Sequence, residues 1–204
     1  MNASPDCEKQ DVQMKVTAFN CSPRKNGNTA HMLMTVLSVL EENGIETELV
    51  QVGGVDMHTC HACGRCKKNL DGKCIQDDDA LNGFSEKMVS SDGIIIGSPT
   101  YYADISPEAK ILIDRVGYSC KTKEGNPLRR KVGAAVIAVR RAGSIHAFDS
   151  INHFFLINEM IVPGSTYWNM SLARAPGDYE NDAEGVATMK ALGENMAWTL
   201  KKME

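Results

Sequence analysis

The chain has 204 residues, 43% hydrophobic and 24% charged, which is enough for one packed domain and thin for two. That balance excludes a disordered chain and a disulfide-dependent mini-protein. A net charge of -4, from 22 Lys and Arg against 26 Asp and Glu, offers no basic field to DNA or RNA, so no nucleic-acid partner is expected. Seven cysteines cannot all pair within one chain, and no secretory signal is visible ahead of them. A reducing cytoplasm is expected, with another job for the thiols.

Residues 1–13 are polar and acidic and read as a loose tail, leaving 14–204 for the domain. No apolar run reaches the length of roughly 18 residues that a membrane span requires. From Lys15 onward short apolar runs alternate with helical periodicity, the pattern of βαβ units around a parallel sheet. The first strand is expected at Lys15 to Asn20. Asn28 then suits a helix cap, with Leu33, Val36, Leu37 and Leu40 on one face and Gly44 at the end. A second strand is expected from Glu46 to Val52. Asp77, Asp78 and Asp79 precede a helix carrying Leu81, Phe84 and Met88, and Gly93 to Gly97 reads as the third strand. Pro107 opens a helix with Ile111, Leu112 and Arg115. The apolar run Val132 to Val139 is a buried strand, and a helix is expected from Ser144 to Glu159. Met160 to Val162 is the candidate fifth strand, followed by a last helix with Val186, Met189, Gly193, Met196 and Leu200.

Five strands with interleaved helices predict an open α/β sandwich of three layers, with strand order 2-1-3-4-5. Ligands of such sheets sit at the carboxyl ends of the strands near the switch in winding direction, so the loops after strands one, three and four are the candidate site. The first of these, Asn20 to Thr29, carries neither nucleotide-binding glycine motif. It offers Ser22, Asn26, Asn28, Thr29 and the guanidinium of Arg24 beside a helix N-terminus, a setting suited to a terminal monophosphate. The alternative is a polar turn with an Asn cap.

Ser22-Pro23-Arg24 through Gly27-Asn28-Thr29, then Gly97-Ser98-Pro99-Thr100-Tyr101-Tyr102, resemble the NADPH-dependent FMN reductase branch of the flavodoxin-like proteins. Cys60-x2-Cys63-x2-Cys66-x7-Cys74, in a loop at 58–76 after strand two, resembles the iron-sulfur flavoprotein subgroup of that branch. Cys21 stands where a glycine is common before the Ser-Pro pair. The resemblance implies that Ser22, Arg24, Asn26, Asn28 and Thr29 hold the phosphate of FMN, and that Pro99, Thr100, Tyr101 and Tyr102 line its ring. Arg140, Arg141, Ala142 and Gly143 precede another helix N-terminus, whose backbone N–H groups would face the pyrimidine edge of the flavin.

Three thiolates at x2 spacing let one loop wrap three corners of a cubic cluster, and Cys74 can close the fourth. A [4Fe-4S] cluster is therefore expected on Cys60, Cys63, Cys66 and Cys74, with Arg65, Lys67, Lys68 and Lys73 offsetting its charge. Zinc held with His58 or His61 is the runner-up, ahead of a redox or structural disulfide. Cys7 and Cys120 read as incidental. His31, His146 and His153 lie in helical segments, and no acid–base catalytic residue is nominated.

The subgroup resemblance implies electrons arriving from ferredoxin or a similar donor and leaving toward oxygen, peroxide or quinones. It also implies a homodimer or homotetramer that brings the cluster of one copy to the FMN of another. Two other functions stay open: an NAD(P)H-dependent FMN or quinone reductase without a working cluster, and a non-enzymatic flavodoxin-like carrier.

Overall fold

In the computed structural model, which describes residues 13–203, five parallel strands form one sheet in the order β2-β1-β3-β4-β5. They are β1 Lys15–Asn20, β2 Glu46–Gln51, β3 Gly93–Pro99, β4 Val132–Val139 and β5 Met170–Leu172. The helices are α1 Asn28–Glu42, α2 Arg65–Asn69, α3 Leu81–Ser90, α4 Pro107–Ser119, α5 Ser144–Ile157 and α6 Ala183–Met203. No helix of the described residues is long and apolar enough to cross a membrane. The tail expected over residues 1–13, and Cys7 with it, falls almost wholly outside the described residues.

Side-chain alternation along the central strands feeds two cores. Ile95, Val132, Ala134, Val136 and Ala138 pack with Leu33, Val36 and Leu40 of α1 and Met189, Leu192 and Met196 of α6. Ile94, Ile96, Ala135 and Ile137 turn to the opposite face, against Leu81, Phe84, Leu112, Ile151 and Phe155. Apolar residues at both parities explain why β3 and β4 read as unbroken hydrophobic runs. Gly193 lets α6 lie close on α1, since a Cβ there would stand 2.7 Å from that of Val39.

The fifth strand differs from expectation. Ile161 makes a single parallel bridge to Val132, but the chain does not continue as a strand there. Pro163 has no N–H to donate, and with Gly164 it ends the ladder. The chain returns to the same edge at Met170, ten residues beyond the expected start at Met160, pairing with Ile137, Ala138 and Val139.

Asp182 fastens this short strand to the last helix. Its Oδ2 accepts from the Ser171 hydroxyl at 2.7 Å and from Leu172 N at 3.0 Å, while Oδ1 accepts from Gly185 N at 3.0 Å in the first turn of α6. Burial alone would push the carboxyl up, but these donors outweigh it and hold it below the ordinary carboxylate range. A depressed carboxyl contributes stability that is present above its unfolded value of about 3.9 and is lost as pH falls through the folded value. Asp182→Asn is therefore expected to flatten the acid limb of the stability curve below about pH 4, with its largest cost at neutral pH, as urea unfolding at a series of pH values would measure.

Candidate functional site

The carboxyl end of β1 is tied to its two neighbours. Buried Asn20 donates from Nδ2 to Gln51 Oε1 at 2.7 Å and accepts from Ser22 N at 3.1 Å. Gln51 in turn donates to the carbonyls of Ser22 and Gly53 at 2.7 and 2.6 Å. Cys21 N reaches Gly97 O of β3 at 2.8 Å, and the Ser106 hydroxyl donates to Cys21 O at 2.8 Å. Gly53 is required here, because a Cβ would lie 2.1 Å from the carbonyl carbon of Ser22. Neither Asn20, Gln51 nor Gly53 stood out in the sequence. Cys21 is fully buried, and burial pushes its thiol far above the ordinary range, so it fills space beneath the loop as an uncharged group.

Above this network lies a cavity of about 180 Å³ lined by Ser22, Pro23, Arg24, Gly27, Asn28, Thr29, Pro99, Thr100, Tyr101, Ala138, Arg140, Ala173 and Arg174. Helix α1 opens on it with Gly27 as its N-cap and no side-chain cap, so its first N–H groups carry their partial positive charge into the cavity. Three guanidiniums stand around it, and Thr100 Oγ1 is a buried hydroxyl with no hydrogen-bond partner. Unpartnered donors, a helix N-terminus and cationic side chains fit an anion such as a phosphate ester.

The expected residues divide. Ser22, Arg24, Asn28, Thr29, Pro99, Thr100, Tyr101 and Arg140 are brought together, whereas Asn26, Tyr102, Arg141, Ala142 and Gly143 do not line the cavity. Asn28 is not the helix cap. Its Nδ2 donates to Ala175 O at 2.8 Å, and its Oδ1 accepts from Gly177 N at 3.1 Å and Tyr179 N at 3.4 Å. The side chain thus pins the segment carrying Arg174 to the start of α1. Ala173 and Arg174 were missed because they follow a strand that the sequence placed ten residues too early.

Tyr101 and Asp104 exchange backbone hydrogen bonds of 2.7 and 3.0 Å, with φ of 46° at Tyr102 and 66° at Ala103 between them. Two left-handed residues make this a tight turn of the mirror-image type I class, costly without glycine. It leaves the Tyr102 side chain fully in solvent and Tyr101 42% exposed. The Asp104 carboxylate holds the turn to α5 by accepting from Ser150 Oγ at 2.7 Å.

A second cavity, about 200 Å³, is lined by Cys60, Cys63, Cys66 and Cys74 with His61, Lys67, Gln76, Arg115, Tyr118 and Ser119 among others. The segment between β2 and α3 has little regular structure beyond the short α2, and left-handed residues at Ala62, Gly64, Leu70 and Gly72 wind it round the cavity. Among the described residues no three His, Cys, Asp or Glu side chains converge on a point that could hold a single metal ion. The four thiols nonetheless share one cavity, and four cysteines are a donor set that an iron-sulfur cluster or zinc can take. Burial pushes the Cys66 thiol up, the Lys67 N–H works against that, and Cys74, Cys63 and Cys60 add to the rise.

Arg115 supplies charge and anchorage. On α4, with its side chain fully buried, it donates to Asp79 Oδ2, to His58 O at 2.9 Å and to Gln76 O at 2.9 Å. Burial would raise the Asp79 carboxyl, but Arg115 and the N–H groups of His58 and Leu81 hold it below the ordinary range. Of the basic residues expected to offset the cluster, Lys67 lines the cavity and lies 4.6 Å from the Tyr118 ring centre, whereas Lys73 pairs with Glu86 at 3.0 Å. Arg115 could have been suspected from its place on an apolar helix face, where a charge requires a buried partner.

An α/β/α sandwich with an anion cavity at the switch in strand direction defines a flavodoxin-like protein. Its residues 14–175 match the model of the NADPH-dependent FMN reductase family, and the chain belongs to that family of flavin-dependent oxidoreductases. It is 38% identical over 195 residues to an iron-sulfur flavoprotein of Methanocaldococcus jannaschii, covering 92% of this chain and 98% of that one. Two solved structures show the same fold. RosB, with a bound 8-demethyl-8-formylriboflavin-5'-phosphate intermediate, aligns at a TM-score of 0.75 and 16% identity over 93% of this chain and 80% of its own. A WrbA-like flavodoxin of Agrobacterium tumefaciens aligns at 0.63 and 15% identity over 94% of this chain and 99% of its own.

Asn28→Ala is expected to cost about 1 kcal/mol, because it removes the hydrogen bonds to Ala175 O, Gly177 N and Tyr179 N, of which only the last is buried. Urea unfolding measures this, and a change below ~0.5 kcal/mol would show that Asn28 does not hold that segment.

Proposed function

We propose that this chain is an electron-transfer flavoprotein that passes electrons between a [4Fe-4S] cluster, held by Cys60, Cys63, Cys66 and Cys74, and FMN. The observation that carries this reading is that these four cysteines line one cavity, joined there by no other cysteine of the described residues. The relative's name, iron-sulfur flavoprotein, supports it. When bound, the cluster supplies single electrons and the flavin accepts one or two and exchanges a hydride.

Residues of the chain bind, orient and balance charge. The uncapped start of α1, Ser22, Thr29 and the guanidiniums of Arg24 and Arg174 would hold the phosphate. At about 180 Å³ the cavity is below the size of roughly 300 Å³ common for whole ligands, so it would enclose the anionic end and leave the ring along Thr100, Tyr101 and Tyr102. Arg140 and the N-terminus of α5, which has Gly143 as its cap and no side-chain bond, would stabilise negative charge on the ring's polar edge. Arg141 and Ala142 would then act only through the loop backbone. No residue is required to move a proton.

Electrons would enter from ferredoxin or a similar low-potential donor in a reducing cytoplasm and leave toward oxygen, peroxide or a quinone. The family's name favours a second reading, in which NADPH reduces the flavin directly. Stopped-flow reduction separates the two: reduced ferredoxin is expected to reduce the flavin at least ~100-fold faster than NADPH, and the opposite order would establish the second reading.

The likeness to the iron-sulfur flavoproteins supports assembly as a homodimer or homotetramer in which the cluster of one copy serves the FMN of another. Light scattering on the anaerobically purified protein is expected to give two or four chains. A monomer that still passes electrons from cluster to flavin would contradict the arrangement. Cys66→Ser is expected to lose most of the iron while keeping FMN, as metal and flavin assays would show; retention of full iron would remove Cys66 from the ligand set.

A further inference from the structure

One wall of the four-cysteine cavity comes from outside the cysteine segment. Arg115, Tyr118 and Ser119 of α4 form it. Two of them carry buried polar atoms with no hydrogen-bond partner, Arg115 Nε and Ser119 Oγ, in residues that are each only 1% exposed. The guanidinium cannot turn to find another partner, because Nη1 is committed to Asp79 and His58 O and Nη2 to Gln76 O. Arg115 and Ser119 stand one helical turn apart, so they present on the same face of α4. Buried donors are ordinarily paired, and both residues line the cavity together with Cys74, so sulfur acceptors placed there would satisfy them.

We propose that Arg115 and Ser119 are positioning residues for the metal cluster, donating Nε–H and Oγ–H to its sulfur atoms and so raising its reduction potential. This rests on the cluster reading above and goes beyond it, since neither residue is a ligand. One-electron reduction adds a negative charge to a group that already carries four thiolates. Hydrogen bonds to cluster sulfurs favour the more negative state. Asp79 offsets much of the formal charge of Arg115, so the directed N–H matters more than the net charge. Lys67, the other cation on this wall, lies over the Tyr118 ring and acts only as a nearby charge. The same two donors would orient the cluster against α4, the helix that also anchors the cysteine segment.

The test is a redox titration with dithionite, followed optically and by electron paramagnetic resonance, on anaerobically reconstituted wild type, Ser119→Ala, Ser119→Thr and Arg115→Lys. Iron, sulfide and FMN are assayed on the same samples. Ser119→Ala is expected to keep its iron and FMN while the ratio of reduced to oxidised cluster at a fixed potential falls roughly tenfold, a midpoint about 59 mV more negative for one electron. Arg115→Lys, which keeps the charge without Nε–H, shifts in the same direction. Ser119→Thr, which keeps the hydroxyl, restores the wild-type value. The flavin midpoint stays in place throughout. Full iron with unmoved cluster midpoints in Ser119→Ala and Arg115→Lys would overturn the proposal. Absence of iron from reconstituted wild type would overturn instead the cluster reading on which it stands.

Discussion

The hydrogen bonds that Asn20 and Gln51 make across the ends of β1 and β2 are the constraint on which the anion cavity depends. In this sheet β1 lies between β2 and β3, and the helices that follow β1 and β3 pack on opposite faces. The chain must therefore part at the carboxyl ends of these two strands, and a crevice opens there whatever the loop sequence. Geometry alone leaves the loop free to collapse into it. The buried amide of Asn20, satisfied on both sides, holds Ser22 in place, and Gly53 lets the next loop approach closely enough to support it. The start of α1 is thereby kept open at its N-terminus, with its N–H groups unspent.

The cysteine segment is held by a different kind of interaction. It contributes few side chains to either core, and its one helix has five residues. Regular structure cannot position four thiols there. A buried ion pair does so instead: Arg115 reaches from α4 to the Asp79 carboxylate and to two carbonyls of the segment. Such a pair gives little net stability, yet removing one partner costs on the order of 3–5 kcal/mol because the other is left charged in the interior. The arrangement thus trades stability for position, which is what a cofactor cavity requires. The same residue joins the segment to the main core, so cavity and fold cannot shift independently.

Most of the architecture was legible from periodicity. The first four strands and the helices after them lie within a few residues of where apolar spacing put them, because each buries a full face. The fifth strand was not legible. Met170–Leu172 has three residues at a sheet edge, too few to carry a period, and it is held by Asp182 from a distant segment. That displacement hid Arg174. The strand order and the loops of the site followed from topology, and the cysteine spacing picked out four residues that line the second cavity. Arg115 and Ser119 could not be assigned, since helical spacing shows which face a residue occupies but not what lies opposite it. Asn28 carried the right residue type for a cap, but its amide serves tertiary contacts that local sequence does not encode.

The central claim is that one chain carries two redox centres in two separately built cavities. Anaerobic coulometric titration of the purified protein tests this most directly by counting electrons. A chain with FMN and one [4Fe-4S] cluster is expected to take up about three electrons, two into the flavin and one into the cluster. Uptake of about two per chain, complete with loss of the flavin absorbance alone in protein purified and reconstituted without air, would contradict it.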